Sequence, residues 1–211
     1  MYQSLKPATV LSPVPVVMVS CRGREGELAR DNIITVAWAG TVCSEPPMVS
    51  ISVRKSRLSH AMILESGEFV INLVSEKLAK ACDYCGVKSG REIDKFARLG
   101  LTAEPMEGLS VARAVAGAPV QLGCVVKEVK ELGSHDLFLA EIVSVRAKEK
   151  LFDKKGKLCL DRANLVAYSH GEYFALGRKL GFFGFSVASP EVLKARMGAE
   201  RSAPLKKKKK K

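Results

Sequence analysis

The sequence predicts a mainly β chain folded as an antiparallel barrel with short helical insertions. Three observations carry that expectation. Runs rich in Val, Ile and Thr recur between Gly- and Pro-containing breaks. Met48 to Arg54 alternates, with Val49, Ile51 and Val53 on one face and Ser50, Ser52 and Arg54 on the other. Helical patterns are few and short, and they never alternate regularly with strands as a parallel sheet would require.

Val14 to Cys21 reads as the first strand, ending in the turn-rich Arg22-Gly23-Arg24-Glu25-Gly26. Asn32 to Val42 reads as the second. Glu45-Pro46-Pro47 ends it, because prolines cannot sit in a central ladder. The third strand, 48–54, follows at once. The period then changes: Arg57 to Ser66 fits a short helix with Ser56 as N-cap, stopped by Gly67. Glu68 to Val74 is a strand. Glu76 to Cys85 is helical and is expected to stop at Gly86, and 89–96 is a polar loop entering a brief helix. Ala118 to Leu132 and Asp136 to Ala147 are long strands joined by a hairpin at Gly133-Ser134-His135. Asp153-Lys154-Lys155-Gly156 is a turn. Leu165 to Phe185 then holds six of the chain's twelve Phe and Tyr residues, read first as core or subunit-interface packing and second as the border of a planar ligand.

At 211 residues the chain is expected to be one domain over 1–205, with Lys206 to Lys211 a disordered poly-Lys tail. Those six lysines account for half of the formal net charge of +12, and the remaining +6 over 205 residues is too mild to mark a nucleic-acid binder. No run approaches the roughly 18 apolar residues of a membrane helix. The N-terminus lacks an export signal, so the six cysteines are expected to be reduced thiols in a cytoplasmic protein.

Most catalytic signatures are missing. There is no GxSxG elbow, no HExxH, no Walker A motif and no GxGxxG after a strand. Cys82 and Cys85 have CxxC spacing but no second pair and no paired histidines, so a metal site is not expected and two packed thiols are. What remains is Ser50, Ser52, Arg54, Ser56 and Ser59 along a strand-to-helix passage. A helix N-terminus beside hydroxyls and an arginine favours a phosphate dianion; the alternative is a capped, exposed turn.

Taken in order, Asn32-Ile33-Ile34-Thr35-Val36-Ala37-Trp38, Pro46-Pro47, Ile51 to His60, Ser66 to Asn72, Cys85-Gly86, Ser89-Gly90 and Asp94-Lys95-Phe96 resemble the flavin reductase-like, FMN-binding split-barrel family, of the flavoredoxin and ferric reductase type. The likeness spans about Pro13 to Gly184. It implies a Greek-key split β-barrel that forms a homodimer with one FMN per subunit. It implies that Asn32 and Trp38 border the isoalloxazine, that Ser52, Arg54, Ser56 and Ser59 bind or flank the phosphate, and that Lys95 adds a cation. Thr35 and Val53 complete the cofactor set, Tyr168 approaches the ring, and His135 is the catalytic candidate as a hydrogen-bond donor or nicotinamide-placing group. The implied activity moves hydride or electrons from NAD(P)H through FMN to a flavin, a ferric chelate or a protein acceptor. A flavoredoxin-type electron carrier with little NAD(P)H oxidase activity is the alternative. A nucleic-acid-binding barrel ranks low, because the aromatics and lysines cluster near the C-terminus rather than interleaving on strands.

Overall fold

The computed structural model describes residues 1–197. The poly-Lys tail expected at 206–211 lies outside the described residues. The chain divides into two compact units, Met1–Leu176 and Gly177–Lys211.

The first unit is built on a seven-stranded antiparallel sheet. Its strands are β2 (Val17–Cys21), β3 (Asn32–Val36), β4 (Ala39–Ser44), β5 (Pro47–Arg54), β6 (Glu68–Leu73), β9 (Val120–Glu131) and β10 (His135–Ala147). They lie in the order β3-β2-β6-β9-β10-β5-β4. The sequence-expected strand 32–42 is therefore two strands, β3 and β4, that occupy opposite edges of this sheet. Only Ala37 and Trp38 separate them. A flat sheet of seven strands would hold its edges roughly 29 Å apart, whereas the three-residue step from Val36 to Ala39 spans at most about 11 Å. The sheet must therefore roll until its edges meet; beside the bend the Ser52 amide donates to the Trp38 carbonyl at 2.9 Å, extending the β4–β5 ladder by one rung. Alternation alone cannot reveal the bend at 37–38, since apolar residues continue through it.

Rolling explains why β2 is buried on both faces. Val17, Val19 and Cys21 join Val49, Ile51, Val53, Phe69, Phe138 and Ala140 inside the roll. Helix α1 (Leu58–Ser66) adds Leu58, Met62 and Ile63 to the same core. Val16, Met18 and Ile33 face outward beneath α2 (Ala79–Val87) and α3 (Lys95–Leu99), where Cys82, Cys85 and Phe96 meet them. The expected alternation in β5 holds: Val49, Ile51 and Val53 are buried, Ser50 and Ser52 are half-buried and Arg54 is exposed.

Several boundaries differ from the sequence expectation. The first strand splits at Val16: β1 (Val14–Pro15) leaves the main sheet to pair with β11 (Val166–Ser169), which pairs in turn with β12 (Glu172–Ala175). Helix α1 begins at Leu58 with Arg57 as N-cap and no side-chain capping bond, so Ser56 does not cap it. Gly67 does end it, in the left-handed conformation at φ 70°. Residues 76–78 form a 3-10 turn, and α2 runs on through Gly86 to Val87. The β9–β10 hairpin is the longest pairing in the sheet, with register shifts at Leu139/Ala140 and Ile142/Ser144 and Gly133 at φ 82° in its turn. A small pair, β7 (Ala103–Pro105) and β8 (Arg113–Val115), was not anticipated.

In the second unit the described residues include a 3-10 turn at Phe185–Val187 and α4 (Pro190–Met197). There Arg196 lies over the Phe182 ring, 4.0 Å from its centroid. The division at 176/177 leaves Tyr168, Tyr173 and Phe174 in the first unit and Phe182, Phe183 and Phe185 in the second.

Glu68 anchors the loop before β8. Its buried carboxylate accepts from the Ser110 hydroxyl at 2.6 Å and from the amides of Ser110, Val111 and Ala112. Burial alone would raise its pKa. These hydrogen bonds outweigh burial and hold it below the ordinary 4.5. A depressed carboxylate stabilises the fold above its unfolded pKa and loses that contribution as pH falls through the folded value. Glu68→Gln is therefore expected to cost about 2 kcal/mol in urea denaturation at pH 7, with the difference from wild type shrinking as pH drops below 4.5.

Candidate functional site

The bend that rolls the sheet also leaves a cleft beside it. Thr35, Val36, Ala37 and Trp38 form its floor, and Ser52, Val53 and Arg54 of β5 run alongside. Its far walls are α2, the N-terminal segment at 9–16 and the β11–β12 hairpin. The cleft has a volume of about 650 Å³. A second, smaller pocket of about 100 Å³ adjoins it, and Ile34 and Arg57 border both.

The smaller pocket gathers the start of α1 and the loop after α2. Ser56, Arg57 and Ser59 line one side, and Lys88, Ser89 and Gly90 the other, with Asn32 and Lys95 at the base. Three cations and no carboxylate line it. Asn32 is buried and donates through Nδ2 to the Ser59 hydroxyl at 2.9 Å. A side chain at position 90 would collide with the Asn32 amide, so the 89–90 loop approaches this closely only because residue 90 is glycine. Lys95 is 4% exposed, and its ammonium donates to the carbonyls of Ile33 at 2.6 Å and Cys85 at 2.8 Å. Burial lowers its pKa. Two of its three protons are thus committed to backbone, which fixes β3 against α2 and leaves one for a ligand.

In the larger cleft, Trp38 is half exposed and its ring meets the His135 imidazole at a 4.7 Å centroid distance, tilted by 41°. His135 opens β10 directly opposite Arg54 of β5. Burial and the Arg54 charge lower its pKa, favouring the neutral ring. Its Nδ1 lies 2.9 Å from the Ser134 hydroxyl. Tyr168 and Tyr173 meet edge to face across β11 and β12, and the Tyr173 hydroxyl donates to Asp83 at 3.3 Å. The Thr35 hydroxyl donates to the Cys82 carbonyl, tying the cleft floor to α2.

The sequence-derived residues therefore separate into two groups. Thr35, Trp38, Ser52, Val53, Arg54, His135 and Tyr168 border the large cleft, while Asn32, Ser56, Ser59 and Lys95 border the small pocket. Asn32 thus sits on the expected phosphate side rather than beside Trp38. Ser52 and Arg54 sit in the large cleft rather than in the small pocket. Sequence reasoning passed over Arg57, Lys88 and His170. Arg57 was read only as a helix start, although it stands in the word Arg54-Lys55-Ser56-Arg57 that drew attention to the site. His170 was invisible: it lines the cleft from a turn where both it (φ 49°) and Gly171 (φ 93°) are left-handed, a conformation that Asn or Gly usually supplies.

The sequence model of the flavin reductase like domain matches residues 10–177. The chain belongs to the flavin reductase-like family. Flavoredoxin of Desulfovibrio vulgaris (Miyazaki F) superposes with a TM-score of 0.80 at 33% identity, over 89% of this chain and 99% of that one. An FMN-binding protein from Thermus thermophilus superposes at 0.70 with 24% identity, over 85% of this chain and 96% of that one, a likeness of fold. In sequence, the reductase component of a Rhodococcus opacus 4-nitrophenol monooxygenase is 29% identical over 113 residues, 54% of this chain and 57% of that protein. The mainly β, split-barrel fold expected from the sequence is the fold of this family member. Among the described residues, no helix is long and apolar enough to cross a membrane, and no cluster of three or more His, Cys, Asp or Glu could hold a metal ion.

The CxxC cysteines lie on the buried face of α2, both at most 1% exposed. Burial pushes Cys82 up to about 12 and Cys85 up to about 11, so both remain protonated and unreactive at neutral pH. Cys21 and Cys124 are buried too, whereas Cys43 and Cys159 are partly accessible. Titration of the native protein with Ellman's reagent is expected to modify two thiols readily and the other four only on unfolding.

Proposed function

We propose that this flavin reductase-like chain binds FMN and passes reducing equivalents from NAD(P)H to a small-molecule or protein acceptor. The observation that carries the reading is the carboxylate-free pocket of Arg57, Lys88, Lys95 and three serines, opening beside a cleft walled by Trp38. A phosphate monoester carries close to two negative charges, and clustered cations, hydroxyls and the first turn of α1 complement it. The named flavin proteins among its relatives support the same choice.

In this reading Ser56, Arg57, Ser59 and Lys88 hold the phosphate, with Asn32 and Lys95 keeping the pocket open and fixed in shape. Thr35, Trp38, Ser52 and Val53 would border the flavin ring on the bend and β5, with Tyr168 on the opposite wall. Bound FMN would supply hydride acceptance and electron release, chemistry that no side chain here can perform. The chain's own part is orientation and exclusion of water. His135, neutral and held against Trp38, would offer a hydrogen bond to a nicotinamide or acceptor. The cleft's cations, Arg54 and Arg57, favour anionic reactants such as NAD(P)H and ferric chelates. We place the reaction in the cytoplasm, where six unpaired cysteines would stay reduced, and in a homodimer, as in the family.

Purified protein is expected to quench FMN fluorescence on titration. Arg57→Ala should weaken binding about ten-fold, the loss of one charge-assisted contact. Arg54→Ala, which borders only the ring cleft, should weaken it less. Failure of wild type to bind FMN would overturn the reading. Anaerobic addition of NADH or NADPH should bleach the bound flavin within seconds. Absence of bleaching, with rapid reoxidation of photoreduced protein by a protein partner, would instead establish the electron-carrier alternative.

A further inference from the structure

The two halves of the site sit on different elements, and one buried contact joins them away from either pocket. His60, one residue beyond Ser59 in the first turn of α1, is 7% exposed. Its Nε2 lies 2.8 Å from Oδ2 of Asp136, which is 5% exposed and follows His135 at the start of β10. The Phe138 ring packs against the imidazole in a T-shaped arrangement, at 5.3 Å between centroids. Among the described residues, the remaining Asp136 oxygen meets only the Lys55 ammonium, at 3.5 Å. Lys55 also pairs with Glu131 at 2.9 Å. Asp136 stands opposite Val53, and His135 opposite Arg54, in the β5–β10 ladder.

We propose that the His60–Asp136 pair is a positioning element of the flavin site, setting the phosphate pocket at the start of α1 against the ring cleft at the start of β10. The proposal rests on the flavin-binding reading above. Neighbouring residues in a strand point to opposite faces, so holding Asp136 inward holds His135 outward against Trp38. Anchoring His60 likewise sets the first turn of α1 and the rotation at which Ser59 meets Asn32. A buried carboxylate with one strong partner is costly to unpair, so the joint tolerates few alternative arrangements. Neither side chain borders a pocket, so both act through their neighbours and are positioning rather than catalytic residues.

Trp38 is the chain's only tryptophan and reports the ring side directly, without any flavin. In the full-length protein, His60→Ala is expected to change Trp38 emission and to weaken FMN binding about ten-fold, with a shifted midpoint potential of the bound flavin. His60→Gln, which can still donate to Asp136, should recover most of the affinity. Glu68→Gln serves as a control that lowers stability without touching the site, and should leave Trp38 emission and FMN affinity unchanged. The proposal is overturned if His60→Ala matches wild type in emission and affinity below its melting temperature. It is equally overturned if Gln rescues nothing, or if Glu68→Gln weakens FMN binding as much. Should His60→Ala fail to fold, Asp136→Asn read in the same way decides. Trp38 emission is scored on apoprotein, so loss of the flavin reading itself, seen as wild type that binds no FMN, is a separate result.

Discussion

The covalent link between β3 and β4 is the constraint on which the other features depend. Two residues, Ala37 and Trp38, join strands at opposite edges of a seven-stranded sheet, and no planar arrangement satisfies so short a connection. The sheet rolls, its inward side chains become one apolar core, and its two edges come together at a seam beside the bend. At the bend the Ser52–Trp38 bond extends the β4–β5 ladder up to the residue that joins it to β3. A cleft can form there without breaking the ladder elsewhere, and it carries an exposed tryptophan on its floor.

Around that seam, the helices serve geometry more than bulk. Helix α1 plugs the roll with Met62 and Ile63 and, at its other end, presents Ser59 and the N-cap Arg57 to the small pocket. Helix α2 covers the outer face of β3 and is pinned there by Thr35 and by the Lys95 ammonium. Burying lysine is unfavourable unless its protons are satisfied. Two backbone carbonyls supply that satisfaction, and the same bonds shape the pocket base. Stability and site geometry are therefore carried by the same contacts in this region. That is distinct from Glu68, whose bonds secure the loop at 110–112 and border neither pocket.

Charge is concentrated locally by the fold. Half of the basic excess lies in the run Lys206 to Lys211 and the rest is mild, yet three cations meet at one small concavity with no acid among its lining residues. A modest global charge thus becomes a strong local one, which suits a compact dianion rather than a polymer.

Much of this was legible in the sequence because it rests on local rules. Alternation in 48–54, the Pro46-Pro47 break, the Gly67 stop and the Gly133 hairpin each follow from the conformations single residues allow. Ser50, Ser52, Arg54, Ser56 and Ser59 stood out as hydroxyls and a cation beside a helix start, and the family resemblance added Lys95. What the sequence could not reveal depended on distance in three dimensions. The bend at Ala37–Trp38 was hidden because apolar Val36, Ala37, Trp38 and Ala39 run straight through it without a Gly or Pro to mark a turn. The division of the site into pocket and cleft, with Asn32 on one side and Arg54 on the other, follows from strand register across the roll. Arg57 and His170 became site residues only when separate loops converged, and the His60–Asp136 contact joins residues 76 positions apart. Side-chain identity was written along the chain; which side chains would share a cavity was decided by how the sheet closed.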